Sequence, residues 1–447
     1  MEVRQFVEEN LEAMKQDLKE LVSYNSVNGK DEKPFGSANR KVLEHALRMM
    51  EDKGLRTENV DYYCGYGEVG EGDQLIGILA HLDIVPAGEG WKHDPFDLQE
   101  EDGFLYGRGV SDDKGAAVAS MYALKYLIQE NYPFQKRVRL ILGCNEETGS
   151  ECIRHYVEKH GHIDYGFTPD GNFPGIYAEK GMFEAKVVGH DTRILSIQGG
   201  EASNVVNKKV VCTLPLNSFD EEAFKRYLQE HEMPFDYEKD EVIHVTVHGI
   251  SAHASMPDLG KNAISHLLEA LYHAGFEDPF VSWFHAHFAL EVHGETLGFE
   301  AIRDDISDTT INFGVIGKKD DDLIMTLDMR FPVKTNTEKV TELMKISDEH
   351  NEIIVEELVE PLYFDIDSPM IKALKKAYVD VTGDDKTEME AIGGGTYAKS
   401  IHNCIAFGCE FIGENNHIHD LDECLSVDSF KKQVELYVAA IRNLNEI

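Results

Sequence analysis

The chain is poor in the features that would place it in several common classes. Its seven cysteines (Cys64, Cys144, Cys152, Cys212, Cys404, Cys409 and Cys424) are odd in number, scattered and without a CxxC pair. That pattern argues against both a disulfide framework and a thiolate zinc site. No apolar run approaches the length of a membrane span, and there is neither an internal repeat nor a low-complexity tract. Basic residues are scarce: 43 Lys+Arg stand against 82 Asp+Glu in 447 residues, a formal net charge of -39. The averaged field repels phosphate backbones and anionic lipid, so neither nucleic acid nor a membrane is expected as a partner. The acids are spread along a chain that is 42% hydrophobic, so they read as the solvated surface of a globular protein. The opening stretch "MEVRQFVEENLEAMKQDLKELVSY" carries acids from its second residue and apolar positions at helical spacing. It resembles neither a secretory nor a transit peptide, and a cytoplasmic location is expected.

What the chain does have is length and two different rhythms. A chain of 447 residues exceeds one ordinary core, so two domains are expected. Amphipathic helices are predicted over 3–22 and 38–53. They precede the short apolar runs "QLIGILA", "RVRLILGC" and "YGFT", with the helical "DDKGAAVASMYALKYLIQEN" between the first two. Strands alternating with helices imply an α/β sheet covered on both faces, whose ligand sites lie at the carboxyl ends of the strands. After Gly181 the strands lengthen and alternate ("MFEAKVVGHD", "VIHVTVHGI", "LIMTLDMRFPV", "EIIVEELVEPLYF") and flank helical stretches at 260–275 and 337–350, as in an α+β domain. From about Asp365 the chain returns to helix, a strand "CIAFGCEFIG" and a closing helix. The expected architecture is a discontinuous α/β domain over 1–182 and 365–447, with an α+β domain inserted at 183–364.

The first domain ends its strands in residues that bind hard or borderline metals. "ILAHLDIV" supplies His81 and Asp83, "GRGVSDDKG" places Asp112 at a helix entry, "NEETG" supplies Glu146 and Glu147, and "FTPDGNFP" supplies Asp170. Each alone is a weak signal, since a strand-end carboxylate is more often a cap or a surface charge. Four such strand ends in one sheet, together with a late histidine, are hard to explain as caps. Oxygen and imidazole donors without thiolate suit Zn²⁺, Mn²⁺ or Co²⁺. His155, His160 and His162 lie on or after a charged helix and read as solvent-facing, and Cys144 reads as a buried, inert thiol.

The segments "HLDIVPAGEGWKHDPF", "LYGRGVSDDKG", "NEETGS", "SAHASMP", "GGGTYAK" and the "HDLDE" that follows Ile418 resemble, in order and context, the signatures of the M20 metallopeptidases. Among these they are most similar to the PepV-type bacterial dipeptidases, relatives of the carnosinases. The resemblance implies a mixed α/β fold with a helix-covered sheet carrying a di-metal site, and an inserted α+β lid. It makes Asp112 the carboxylate bridging two metals, His81 and Asp170 the further ligands of one, and Glu147 and His419 those of the other. His417 is the reserve for His419. A cis peptide is implied at Asp112-Asp113. Glu146 is implied as general base to a water shared by the ions, and Asp83 as the acid that hydrogen-bonds His81 and sets its tautomer. In the inserted domain, His253 and Asn204 are implied to stabilise an oxyanion. Arg330 and the loop of Gly394, Gly395 and Thr396 are implied to bind a substrate α-carboxylate, with Arg330 providing a local positive site.

The expectation is a metal-dependent dipeptidase that acts on substrates with free N- and C-termini as a functional monomer. An N-acyl-amino-acid deacylase or desuccinylase of the same group is the near alternative. A non-enzymatic descendant is the distant one, disfavoured because every expected ligand is present.

Overall fold

The computed structural model describes all 447 residues. It is a mixed α/β structure that divides into two compact units. One comprises Met1–Ala178, Phe364–Glu390 and Gly395–Ile447; the other comprises Glu179–Tyr363 and Ala391–Gly394. No helix is long and apolar enough to cross a membrane.

The first unit is built on a twisted sheet whose central strands are parallel. Arg137–Gly143, Leu75–His81, Tyr165–Thr168 and Cys404–Ala406 run side by side, with His81 opposite Gly143. Cys64–Val69 and Arg56–Val60 continue the sheet antiparallel beyond Arg137–Gly143. Every residue of Leu75–His81 is buried, so both faces of that strand are covered. The helix Lys114–Gln129 and the closing helix Val427–Glu446 pack on it and on each other. Small residues at Gly115, Ala116, Ala117 and Ala119 let the former lie close to its neighbours. Ser426 starts the closing helix by accepting the Ser429 amide, which satisfies one of the donors left open at a helix N-terminus.

The second unit is an antiparallel sheet in the order Phe235–Lys239, Ile243–His248, Lys209–Leu214, Ser196–Gly199, Ile316–Lys319, Asp322–Phe331, Gly181–Gly189, Asn351–Val359. Its strands alternate buried and open positions, as in Gly181–Gly189, because one face meets a core and the other does not. The core lies between that sheet and the helices Glu221–Glu230, Ala263–His273 and Pro279–His287, and includes Val210, Val245, Leu267, Phe280 and Phe284.

Local departures from the sequence expectation have physical causes. The single strand expected over 352–364 breaks after Val359, just before Pro361, which has no amide to offer a ladder. The strand expected in "CIAFGCEFIG" ends at Ala406. Gly408 then takes a positive φ, and the amides of Cys409 and Glu410 turn aside to the carbonyl of Gly171. The helix over 337–350 stops at Leu343. Residues 391–394 return to the second unit, where the Lys180 amide donates to the Ile392 carbonyl at 2.9 Å; the limits 183 and 364 omit this strip.

Candidate metal centre

The parallel strands of the first unit deliver their polar ends to one place. His81 is the last residue of Leu75–His81 and is completely buried. Its Nε2 lies 2.8 Å from Asp112 Oδ1. The other oxygen of Asp112, Oδ2, lies 2.9 Å from His419 Nε2, which is also 3.1 Å from Glu147 Oε2. One carboxylate therefore faces two imidazoles, one oxygen to each. Donor atoms of His81, Asp112 and Glu147 all lie within 4.8 Å of one another, and so do those of His81, Glu146 and Asp170. The Asp112-Asp113 peptide is cis. His417, the reserve candidate, is exposed and its ring meets Asn415, at 3.5 Å, whereas the ring of His419 reaches the carboxylates. His162 is exposed, but His155 and His160 are half-buried, stacked on Tyr63 and Tyr156, so the expectation that all three face solvent fails for two.

Asp83 acts differently from the expectation. His81 Nδ1 donates to the main-chain carbonyl of Asp83 at 3.0 Å, while the nearest carboxylate oxygen of Asp83 is 3.7 Å away. That carboxylate instead accepts the Glu146 amide at 3.0 Å and the Glu147 amide at 3.2 Å. The chain turns immediately after His81, which aims the carbonyl at the ring and the carboxylate at the neighbouring turn. The ring orientation is still set from Asp83, but by its backbone, and its side chain braces the Glu146-Glu147 turn.

The electrostatics of the cluster follow from burying so many charges together. Burial alone would push His81 down, but the hydrogen bond to Asp112 and the charges of Asp83 and Asp113 hold it well above its ordinary value. Burial would raise Asp112, yet the bonds to His419 and His81 keep it far below the usual carboxylate range. The bonds from Asp112 and Glu147 push His419 up to about 10. Burial, reinforced by Asp170, raises Glu146 well above its ordinary value, and burial pushes Asp83 up to about 6. These carboxylates favour protonated imidazoles in the metal-free chain, and a cation bound here would compete with those protons.

The second unit holds the other sequence-named residues. Asn204 and His253 are neighbours: Val205 pairs with His253, and the Ala254 amide donates to the Asn204 carbonyl at 2.9 Å. The Ser255 amide points at His253 Nδ1, at 3.2 Å. Gly393 must lack a side chain, because a Cβ there would stand 2.5 Å from that of Ser255. Gly394 follows it in this unit, whereas Gly395 and Thr396 belong to the first. Thr396 accepts the Ala398 amide at the start of a short 3-10 turn. Arg330 corrects the expectation of a local positive site. It is buried and clamped by Asp328 through two bonds of 2.7 Å, with Glu184 at 3.7 Å, so its charge is already balanced.

Comparison with known proteins decides the family. The family model described as "Peptidase family M20/M25/M40" matches residues 77–443. The chain belongs to that family. As an M20 peptidase it is a hydrolase, and its relatives have peptidase names. It is 33% identical over 429 residues to the Bacillus subtilis protein called "Putative dipeptidase YtjP", covering 92% of each chain. Among solved structures it is similar in fold to human carnosine dipeptidase 1, with TM-score 0.59, 16% identity, and 100% and 99% of the two chains covered. It is also similar in fold to the Bacillus subtilis YXEP protein, described as a dinuclear metal-binding peptidase, with TM-score 0.54, 11% identity, and 98% and 99% covered.

Two residues of this M20 peptidase matter to the site although sequence reasoning gave them no role. Glu423 is fully buried against Arg108, at 2.7 Å. Its carboxylate also accepts the amides of Gly109 (3.0 Å), Ser111 (2.9 Å) and Asp112 (3.1 Å), so it holds the loop from which Asp112 projects. The loop then folds back so closely that a Cβ on Gly115 would sit 2.1 Å from the Val110 carbonyl oxygen. The signal was present as the Arg-Gly before Asp112 and the Glu four residues after His419, but only the fold joins residues more than 300 positions apart. Glu423→Ala is expected to destabilise the chain by about 3–5 kcal/mol, because it leaves the buried Arg108 charge without its carboxylate. Denaturant unfolding checks this, and a loss under about 1 kcal/mol would refute the bracing role.

Proposed function

We propose that this M20 peptidase is a dipeptidase that works with two divalent ions, Zn²⁺ or Mn²⁺, with Co²⁺ also suited to the donors. The observation that carries the reading is Asp112, whose two oxygens face two imidazoles at 2.8 and 2.9 Å. The donor chemistry fits: every ligand offers oxygen or imidazole nitrogen, and His81 Nδ1 is tied to a carbonyl, which leaves Nε2 for a metal. His81, Asp170 and one oxygen of Asp112 would hold one ion; Glu147, His419 and the other oxygen of Asp112 would hold the second. Bound there, such ions supply Lewis acidity to a carbonyl and to a water.

The remaining roles belong to the chain itself. Glu146, half-buried and raised in pKa, takes the proton of the attacking water and passes it to the departing amine. His253 receives the Ser255 amide on Nδ1, so its proton lies on Nε2. Burial and the nearby Arg330 lower its pKa, which favours that neutral form. Such a ring donates a hydrogen bond to a carbonyl oxygen as charge develops, and Asn204 is its companion donor. For a substrate carboxylate the loop of Gly394, Gly395 and Thr396 remains the proposed contact, Arg330 being taken up by Asp328. The relatives' dipeptidase names support this substrate class. We further propose a functional monomer in a reducing cytoplasm, consistent with seven free, buried cysteines.

The test is amino-acid release by metal-stripped chain reconstituted separately with Zn²⁺, Mn²⁺ and Co²⁺, using a dipeptide, the matching tripeptide and the N-acetylated amino acid. Cleavage of the dipeptide alone, by a species sedimenting as one chain, is expected. Cleavage of the acetylated compound alone would move the enzyme to the deacylases.

A further inference from the structure

A second cluster of metal-ligating side chains lies wholly in the second unit, on two packed helices. Glu269 and His273 are one helical turn apart on Ala263–His273, so they share a face. His285 comes from Pro279–His287, whose start is fixed by Asp278 accepting the amides of Phe280 and Val281. His285 Nδ1 is 2.9 Å and His273 Nε2 3.7 Å from the same oxygen, Glu269 Oε2. One ligand atom from each of the three residues lies within 4.8 Å of the others.

We propose that Glu269, His273 and His285 form a binding site for a borderline divalent cation of the Zn²⁺ class. Glu269 is only 2% exposed, and its second oxygen, Oε1, is buried without any hydrogen-bond partner. A carboxylate buried in this way costs free energy unless something pairs with it. No lysine or arginine pairs with it, and its ion-pair partners are the two imidazoles. One carboxylate with two histidines is an established Zn²⁺ donor set, and ligands about 2.0–2.2 Å from a tetrahedral ion stand roughly 3.4 Å apart. The present spacings need only small side-chain shifts to reach that value. Both rings are already held, Tyr272 stacking on His285 at 3.6 Å and Tyr227 on His273 at 4.9 Å. His273 is about half exposed, which leaves the cation a way in and a fourth position for water. The ion would tie the two helices together and would share no residue with the His81–His419 cluster.

The test counts ions on the full chain. Metal-stripped His81→Ala/Asp112→Asn protein is titrated with Zn²⁺ against a chromophoric chelator, with and without His273→Ala/His285→Ala added. The two alanines are expected to lower the count by one ion per chain at unchanged circular dichroism, and Glu269→Gln, which keeps the size of the side chain, is expected to do the same. An equal count with and without these changes would overturn the site. Because the comparison is a difference within one background, and is repeated in the wild type, it holds whether or not the first cluster works as proposed.

Discussion

Glu146→Gln is expected to lower dipeptide turnover by about 10²- to 10⁴-fold, the range supplied by a positioned general base, while the chain keeps both of its ions. The substitution removes the proton acceptor and little else. The fold of the turn does not depend on that side chain, because it is the backbone amide of Glu146 that donates to Asp83. The Glu146 carboxyl is nevertheless crowded by the donors of His81 and Asp170, close enough to be a ligand itself. Metal content therefore separates the two roles. Elemental analysis of the purified variant should give the wild-type ion count, with kcat reduced and KM little changed. Loss of one ion alongside activity would make Glu146 a ligand and leave the chemistry without its assigned base.

The candidate centre was legible in the sequence because metal ligands concentrate where strands end, and strand ends can be read from short apolar runs. His81, Asp112, Glu146, Glu147 and Asp170 each follow such a run or open the helix after it, and the fold gathers their donors. Finer assignments were out of reach because they depend on where a backbone group points. Asp83 serves His81 through its carbonyl rather than its carboxylate, and no residue pattern distinguishes the two. Arg330 looked free in "LDMRFPV", yet Asp328, two residues earlier and on the same side of the strand, takes up its guanidinium. That pairing could have been anticipated from strand periodicity. The Glu423 brace could not, since it links the two ends of a chain interrupted by another unit. The helix Pro279–His287 also escaped notice, although Asp278-Pro279 is a strong start signal, because its nine residues are too few to show a clear periodicity.

Asp112→Ala should have a still larger effect than the general-base variant: both ions lost and dipeptide hydrolysis abolished. Each oxygen of Asp112 faces a different imidazole, so its removal takes one ligand from each of the two proposed ions at once, where any other ligand would cost only one. The metal-free chain also shows how the loss should register. His81 is held above its ordinary pKa and His419 is pushed up to about 10, which favours protonated imidazoles when no metal is present. Cations must displace those protons, and loading the wild-type chain at pH 7 should therefore release them. The sign follows directly: as pH falls, protons compete more strongly and apparent metal affinity drops, and as pH rises towards about 10 it increases. Titration calorimetry in buffers of different ionisation enthalpy measures the release. In the Asp112 variant the ions do not bind in the first cluster, so the buffer dependence should largely vanish. Retention of two ions with unchanged proton release would remove Asp112 from its bridging position and with it the foundation of the two-metal reading.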